Sequence, residues 1–235
     1  GSAALQPGAT FKVTGGHKET GVTSPTAIAF ANDGSLYVAE THRFRFGVED
    51  DRNNLFWYHD DLAAKTTADR LALHQKWAGK KSLEWMTAKS EKIRFLTDEQ
   101  GDGVFAKAKM FDEKFNDILD GTGAGVMAWD DNVYFACIPR IWMLQDAKQD
   151  GTEGQRKVLQ DGFGVRISLS GHDMNGFAIG YDGRVWGTIG DRGFNFTTKE
   201  GKKYDSRNRG AVFRFEPDGT NFEVVHFGLR NPKEI

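Results

Sequence analysis

Apolar residues in this chain alternate with small and polar ones in short runs that break at Asp, Asn and Gly. PTAIAFANDGSLYVAE holds two such runs around Asp33-Gly34, which predicts a β-hairpin with strands at 27–30 and 35–39. VMAWDDNVYFACI (126–138) and FAIGYDGRVWGTIG (177–190) have the same shape, each with an aromatic-bearing second strand. A second kind of hairpin lies between them. KIRFLTDEQGDGVFAKAKMF (92–111) and RIWMLQDAKQDGTEGQRKVL (140–159) align at a constant offset, Ile93 with Ile141, Asp98 with Asp146 and Phe111 with Leu159. AVFRFEPDGTNFEVVHF (211–227) is a shorter third copy. The polar segment 1–24 offers one further strand candidate, at 10–13.

An inner hairpin followed by an outer one, three times over, predicts an all-β protein: a β-propeller of four-stranded blades. Blade 1 is expected at about 25–111, blade 2 at about 120–160 and blade 3 at about 172–228. Asn231-Pro232-Lys233-Glu234-Ile235 mirrors Ser24-Pro25-Thr26-Ala27-Ile28, so residues 230–235 read as the start of a fourth. Three blades cannot close a ring, and an open edge exposes unpaired strands. The expected partner is therefore the rest of a propeller, as a missing segment or another chain. Residues 43–90 break the repeat and predict a helical insertion in blade 1. Thr66 or Thr67 caps a helix over 68–77, with Leu71, His74 and Trp77 on one face. The insertion either stabilises the blade or walls one side of a pocket.

Composition narrows the function. With 31 basic and 33 acidic residues there is no nucleic-acid footprint. Cys137 is the only cysteine, which excludes an internal disulfide and a Cys-rich metal site. No apolar run reaches the roughly 18 residues of a membrane span. Gly1-Ser2 reads as a cloning remnant, so a targeting segment is expected to have been removed. Asp98, Gln100, Asp102 and Gly103 resemble the start of a calcium loop, as do Asp146, Lys148, Asp150 and Gly151. Lys148 puts a cation where a ligand belongs, and neither loop ends in a carboxylate, so both read as turns. The other histidines lack zinc-site spacing, so no metal site is expected. The glycine-rich loop 121–125 precedes a strand instead of a helix, which argues against a phosphate site and for close backbone approach.

The stretch SGHDMNGFAIGYDGRVWGTIGDRG (170–193) adds polar ends to the repeated hairpin. His172 precedes its first strand and Asp191 follows its second, so both reach the same end of the sheet. There a carboxylate can fix the tautomer of a histidine base. Arg230 and Asn231, where the next blade begins, reach that end too. The alternative is that His172 and Asp191 only close the hairpin.

GHDMNGFAIGYDGRVWGTIGDRG and GAVFRFEPDGTNFEVVHFGLRNP resemble the soluble glucose/sorbosone dehydrogenases, six-bladed propellers that use pyrroloquinoline quinone (PQQ). Together with FRFGVEDDRNNLFWYHDDLA and DGTGAGV, they are closer still to the propeller domains of planctomycete and verrucomicrobial membrane-bound dehydrogenases. The resemblance implies a periplasmic or secreted quinoprotein-like dehydrogenase that oxidises a sugar or other alcohol. His172 would be the base and Asp191 its supporting acid, with Arg230 and Asn231 on the quinone. Thr122 falls where these enzymes carry a glutamine beside the cofactor, and Gly171 where they carry an aspartate. The calcium ligands would lie beyond residue 235, and a cytochrome c domain would take the electrons. Rival readings are a non-redox carbohydrate-active propeller using the His/Asp pair for acid–base chemistry, and a non-catalytic propeller binding glycan or protein.

Overall fold

The computed structural model describes residues 20–235; the strand candidate at 10–13 lies outside them. Three four-stranded antiparallel sheets follow one another along the chain. The first joins β1 (Pro25–Phe30), β2 (Leu36–Glu40), β3 (Glu91–Thr97) and β4 (Lys107–Phe115) in that order. The second joins β5 (Gly125–Trp129), β6 (Asn132–Cys137), β7 (Arg140–Gln145) and β8 (Arg156–Asp161). The third joins β9 (Met174–Ile179), β10 (Val185–Ile189), β13 (Gly210–Phe215) and β14 (Glu223–Leu229). The leading strands pack side by side, β1 on β5 and β5 on β9. Sheets radiating from adjacent leading strands are blades, and the described residues form three blades of a β-propeller. Gly125 permits that convergence, since a Cβ on it would lie 3.1 Å from the Gly176 backbone nitrogen of β9.

The alternation seen in the sequence sets the packing. Ile93, Phe111, Ile141 and Leu159, aligned between the outer hairpins, are all buried between sheets. Asp98 and Asp146 turn the outer hairpins. Asp98 Oδ2 accepts from the Gly103 N–H at 2.7 Å, and Asp146 Oδ2 from the Gly151 N–H at 2.7 Å and the Tyr37 hydroxyl at 2.7 Å.

An unexpected hairpin, β11 (Phe194–Thr197) with β12 (Lys203–Ser206), interrupts the third blade between β10 and β13. Its period of two aims Phe194 and Phe196 inward together. There they join Phe163, Phe213, Phe215 and Phe222 in one buried aromatic cluster. Phe213 and Phe215 both stack on Phe222, at 5.2 and 5.5 Å between ring centroids. Each such ring contributes about 1.5–3 kcal/mol by burial.

Residues 43–90 form the helical insertion of the first blade, between β2 and β3. Two short 3-10 turns, Asp51–Asn53 and Leu55–Trp57, lead into α1 (Tyr58–Ala63), α2 (Thr67–Lys76) and α3 (Leu83–Thr87). Thr66 caps α2 in a reciprocal capping box with Asp69. The buried face of α2 is Arg70, Leu73 and His74; of the stripe read from spacing, His74 is buried and Trp77 packs on the core, while Leu71 gives way to Leu73. The reason is tertiary: Leu73 enters a core with Trp57, Met86 and Ile167, and half-buried Leu71 is not among the residues packed on it. Arg43 anchors the insertion. Its buried guanidinium donates to the carbonyls of Met86, Lys89, Asp117 and Asp120.

Candidate active site

Antiparallel pairing gathers the start of β1, the end of β2, the start of β3 and the end of β4 at one end of the first blade. The other blades do the same, so one end of the molecule collects residues 23–26, 40–43, 91, 117–124, 163–173, 190–193 and 230–232. His172 and Asp191 lie there, and the hairpin explains why they meet. β9 pairs Met174 with Ile189, and the Gly190 N–H reaches the Asp173 carbonyl at 3.1 Å. One step further in that register sets His172 opposite Asp191. The result is a contact of 2.7 Å between His172 Nδ1 and Asp191 Oδ1. Gly190 is required, because a Cβ there would sit 2.4 Å from the His172 carbonyl oxygen.

A second pair braces the first. Asp173 and Arg192, the next residues along each strand, are buried and joined at 2.6 Å through Arg192 Nη1 and Asp173 Oδ1. Arg192 Nε also donates to the Arg166 carbonyl, and the other Asp173 oxygen accepts the Thr122 N–H at 3.0 Å. The helical insertion then grips the loop that delivers His172. Asp61 accepts from the Ile167 N–H at 2.6 Å and from Arg166 Nε at 2.8 Å. Asp50 accepts from the Ser170 N–H and hydroxyl, and the Asp51 N–H donates to the Ser168 carbonyl. Burial and the neighbouring Asp61 push the Asp51 carboxyl up, while Arg166 helps to hold Asp61 down against its own burial. Asp50, Asp61, Arg166, Asp173 and Arg192 were not anticipated. For the last two, the signal was adjacency to His172 and Asp191 in HD and GDR.

A match to the family described as "Domain of unknown function (DUF7133)" spans residues 3–232. The chain belongs to the DUF7133 family. Comparison with curated proteins returned no match. Among solved structures, a PQQ-bound aldose sugar dehydrogenase from Streptomyces coelicolor is similar at 17% identity and a TM-score of 0.45, over 90% of this chain and 52% of that one. A nidogen/laminin complex is similar at 18% identity and a TM-score of 0.31, over 62% of each chain. The DUF7133 chain thus spans about half the length of the dehydrogenase.

The remaining candidates of this DUF7133 chain surround the pair. The Arg230 carbonyl accepts the Asp191 N–H at 2.8 Å, and Arg230 is exposed, its guanidinium without a polar partner among the described residues. Asn231 follows, half-buried, with Oδ1 shielded and lacking a donor. Thr122 lies one layer behind. It is buried, its hydroxyl is enclosed without a partner, and only its backbone reaches Asp173. Gly171 accepts Lys233 Nζ at 2.9 Å on its carbonyl. Two clefts open in this half of the molecule, one of which reaches the 170–172 turn at Ser170. One, of ≈ 410 Å³, lies among the leading strands and reaches Glu234; the other, of ≈ 570 Å³, lies against the insertion and reaches Ser170. Neither lining includes His172 itself.

Proposed function

We propose that this end of the propeller is a sugar- or alcohol-oxidising site in which His172, paired with Asp191, is the general base beside a bound PQQ. The contact between Nδ1 and the Asp191 carboxylate carries the reading. An ionised carboxylate only accepts, so Nδ1 holds the proton and Nε2 keeps its lone pair. Nε2 is then the atom that takes a proton from a substrate hydroxyl, and Asp191 stabilises the imidazolium that forms. The brace of Asp173, Arg192 and Arg166 keeps the ring in that orientation.

PQQ is a flat, anionic quinone, and the residues present fit one edge of it. Among the described residues, Arg230 offers a guanidinium without a polar partner, and Asn231 an amide whose Oδ1 has no donor. Thr122 would support the floor through its backbone. When bound, PQQ supplies the two-electron acceptor for the substrate's hydride. Arg230 would hold a negatively charged oxygen of that group by a charge-assisted hydrogen bond. The rest of the ring, and the periplasmic or secreted setting, belong to this proposal through the sequence resemblance alone.

Adding PQQ and calcium, then following dye reduction with a sugar panel, tests it. Quinone binding with turnover that disappears in His172→Ala is the expected outcome. Absence of both binding and turnover removes the dehydrogenase reading, and glycoside cleavage without quinone would replace it with acid–base chemistry.

A further inference from the structure

The ≈ 570 Å³ cleft beside the insertion falls within the roughly 300–1,000 Å³ typical of small-molecule sites. Arg45, Glu49, Asn53, Lys81, Trp85 and Ser170 line it, with the Asp50–Arg52 ion pair at its edge. Glu49 is 4% exposed. Its Oε2 accepts from Asn54 Nδ2 at 3.1 Å, but Oε1 has no hydrogen-bond donor, the nearest cation being Lys81 Nζ at 4.0 Å. A buried carboxylate oxygen without a donor is costly unless something else supplies one. Burial also pushes the Glu49 carboxyl up to about 7. Arg45 is exposed and makes no hydrogen bond or ion pair among the described residues; its only contact of that kind is with the Phe44 ring.

These groups select a ligand by elimination. A phosphate would meet two carboxylates on the wall, and a metal ion would meet three cations. An apolar ligand would strand the amides and charges. A sugar ring answers each group: its hydroxyls donate to a carboxylate and accept from Asn53 and Arg45, and its C–H groups can pack beside the half-buried Trp85 indole, over which Lys81 Nζ lies at 3.6 Å. The cleft is also tied to the reacting centre. Ser170 lines it, held by Asp50, and the His172 N–H closes the same turn on the Leu169 carbonyl at 3.2 Å.

We infer that this cleft is a sugar-binding subsite, which holds the second ring of an oligosaccharide whose neighbouring ring is presented to His172. The inference rests on the reading of His172–Asp191 as the reacting centre only for the position of that neighbouring ring. The substrate class is then a di- or oligosaccharide instead of a free monosaccharide. The insertion supplies its specificity.

Calorimetric titration of the full chain with glucose, xylose, maltose, cellobiose, xylobiose and the corresponding tetrasaccharides tests this. At least one oligosaccharide should bind about tenfold or more tightly than its monosaccharide. Arg45→Ala, Trp85→Ala and Glu49→Gln should each remove about tenfold of that advantage. Arg45 is on the surface, so its variant should keep the parent melting temperature. If no oligosaccharide outbinds its monosaccharide, or if folded variants bind as the parent does, the subsite is overturned. His172→Ala should retain oligosaccharide binding. Oligosaccharide binding in a parent that shows no quinone-dependent turnover would keep the subsite and remove the dehydrogenase reading.

Discussion

The first and third blades both place a histidine against a carboxylate at the same hairpin corner, and the two pairs differ in what the carboxylate holds. In blade 1, Glu40 is fully buried and accepts from the Thr23 N–H at 2.8 Å and Arg94 Nε at 2.8 Å before it meets His42 Nε2 at 3.2 Å. His42 is the last partner of a carboxylate already occupied by the fold. In blade 3, the Asp191 carboxylate contacts His172 alone among the described residues. The bracing there comes from Asp173 and Arg192, one residue further along each strand. The same corner is thus a structural cross-link in one blade and, in the proposed function, an oriented base in the other. The deciding quantity is the number of competing donors, not the His–carboxylate distance.

The sharpest way to break this comparison is to remove each histidine in turn. His172→Ala should lower turnover with PQQ and a responsive sugar by about 10³-fold, the scale of general-base catalysis. His42→Ala should leave it within about twofold. Equal losses would show that the corners are not functionally distinct. The carboxylates should behave in the opposite way in thermal unfolding. Glu40→Ala leaves Arg94 and the Thr23 N–H without their acceptor and should cost about 3 kcal/mol, whereas Asp191→Asn should cost less than about 1 kcal/mol.

Acidity sharpens the contrast further. Glu91 supports the blade 1 corner by accepting the His42, Arg43 and Gly123 N–H groups. Burial nevertheless pushes its carboxyl up to about 7, from an ordinary 4.5. A folded-state value raised above the unfolded one gives stability that is complete below about 4.5 and is lost as pH rises through about 7. Melting between pH 5 and pH 8 should therefore lose about 2 kcal/mol from this group, and Glu91→Gln should flatten the profile. A local effect is expected from Tyr37→Phe, which removes the bond to Asp146 at an outer turn. It should cost about 1 kcal/mol in denaturant unfolding and leave both corners intact.

Much of the fold was readable because it is written locally. The Asp33-Gly34 and Asp182-Gly183 turns sit between alternating runs, and a hairpin's register carries that alternation to its open end. That is why His172 and Asp191 could be paired from their spacing about one turn. The β11–β12 hairpin was missed because FNFT and KYDS are too short to show a period, and their stability comes from Phe163 and Phe222, distant in sequence. One position on the buried face of α2 was misread for a related reason. Three-residue spacing proposed Leu71, but the core of Trp57, Met86 and Ile167 selects Leu73. The charged brace was invisible too, since nothing near Asp61 announces a partner 106 residues away. Its meaning appears only when insertion and loop are together.

That distance also has a consequence for synthesis. The insertion leaves the ribosome with Asp51 and Asp61 already made, yet its docking partners at 166–170 follow about 100 residues later. At roughly 5–20 residues per second, the two carboxylates wait roughly 5–20 s in water before the third blade arrives to take them up. The first blade can hold its own sheet during that interval, but the orientation of His172 cannot be set until the later-made 166–170 loop returns to the earlier-made insertion. Assembly of the His172–Asp191 corner therefore trails synthesis of the insertion, and mutations that loosen the insertion should reduce the yield of correctly assembled protein more than the stability of protein already folded.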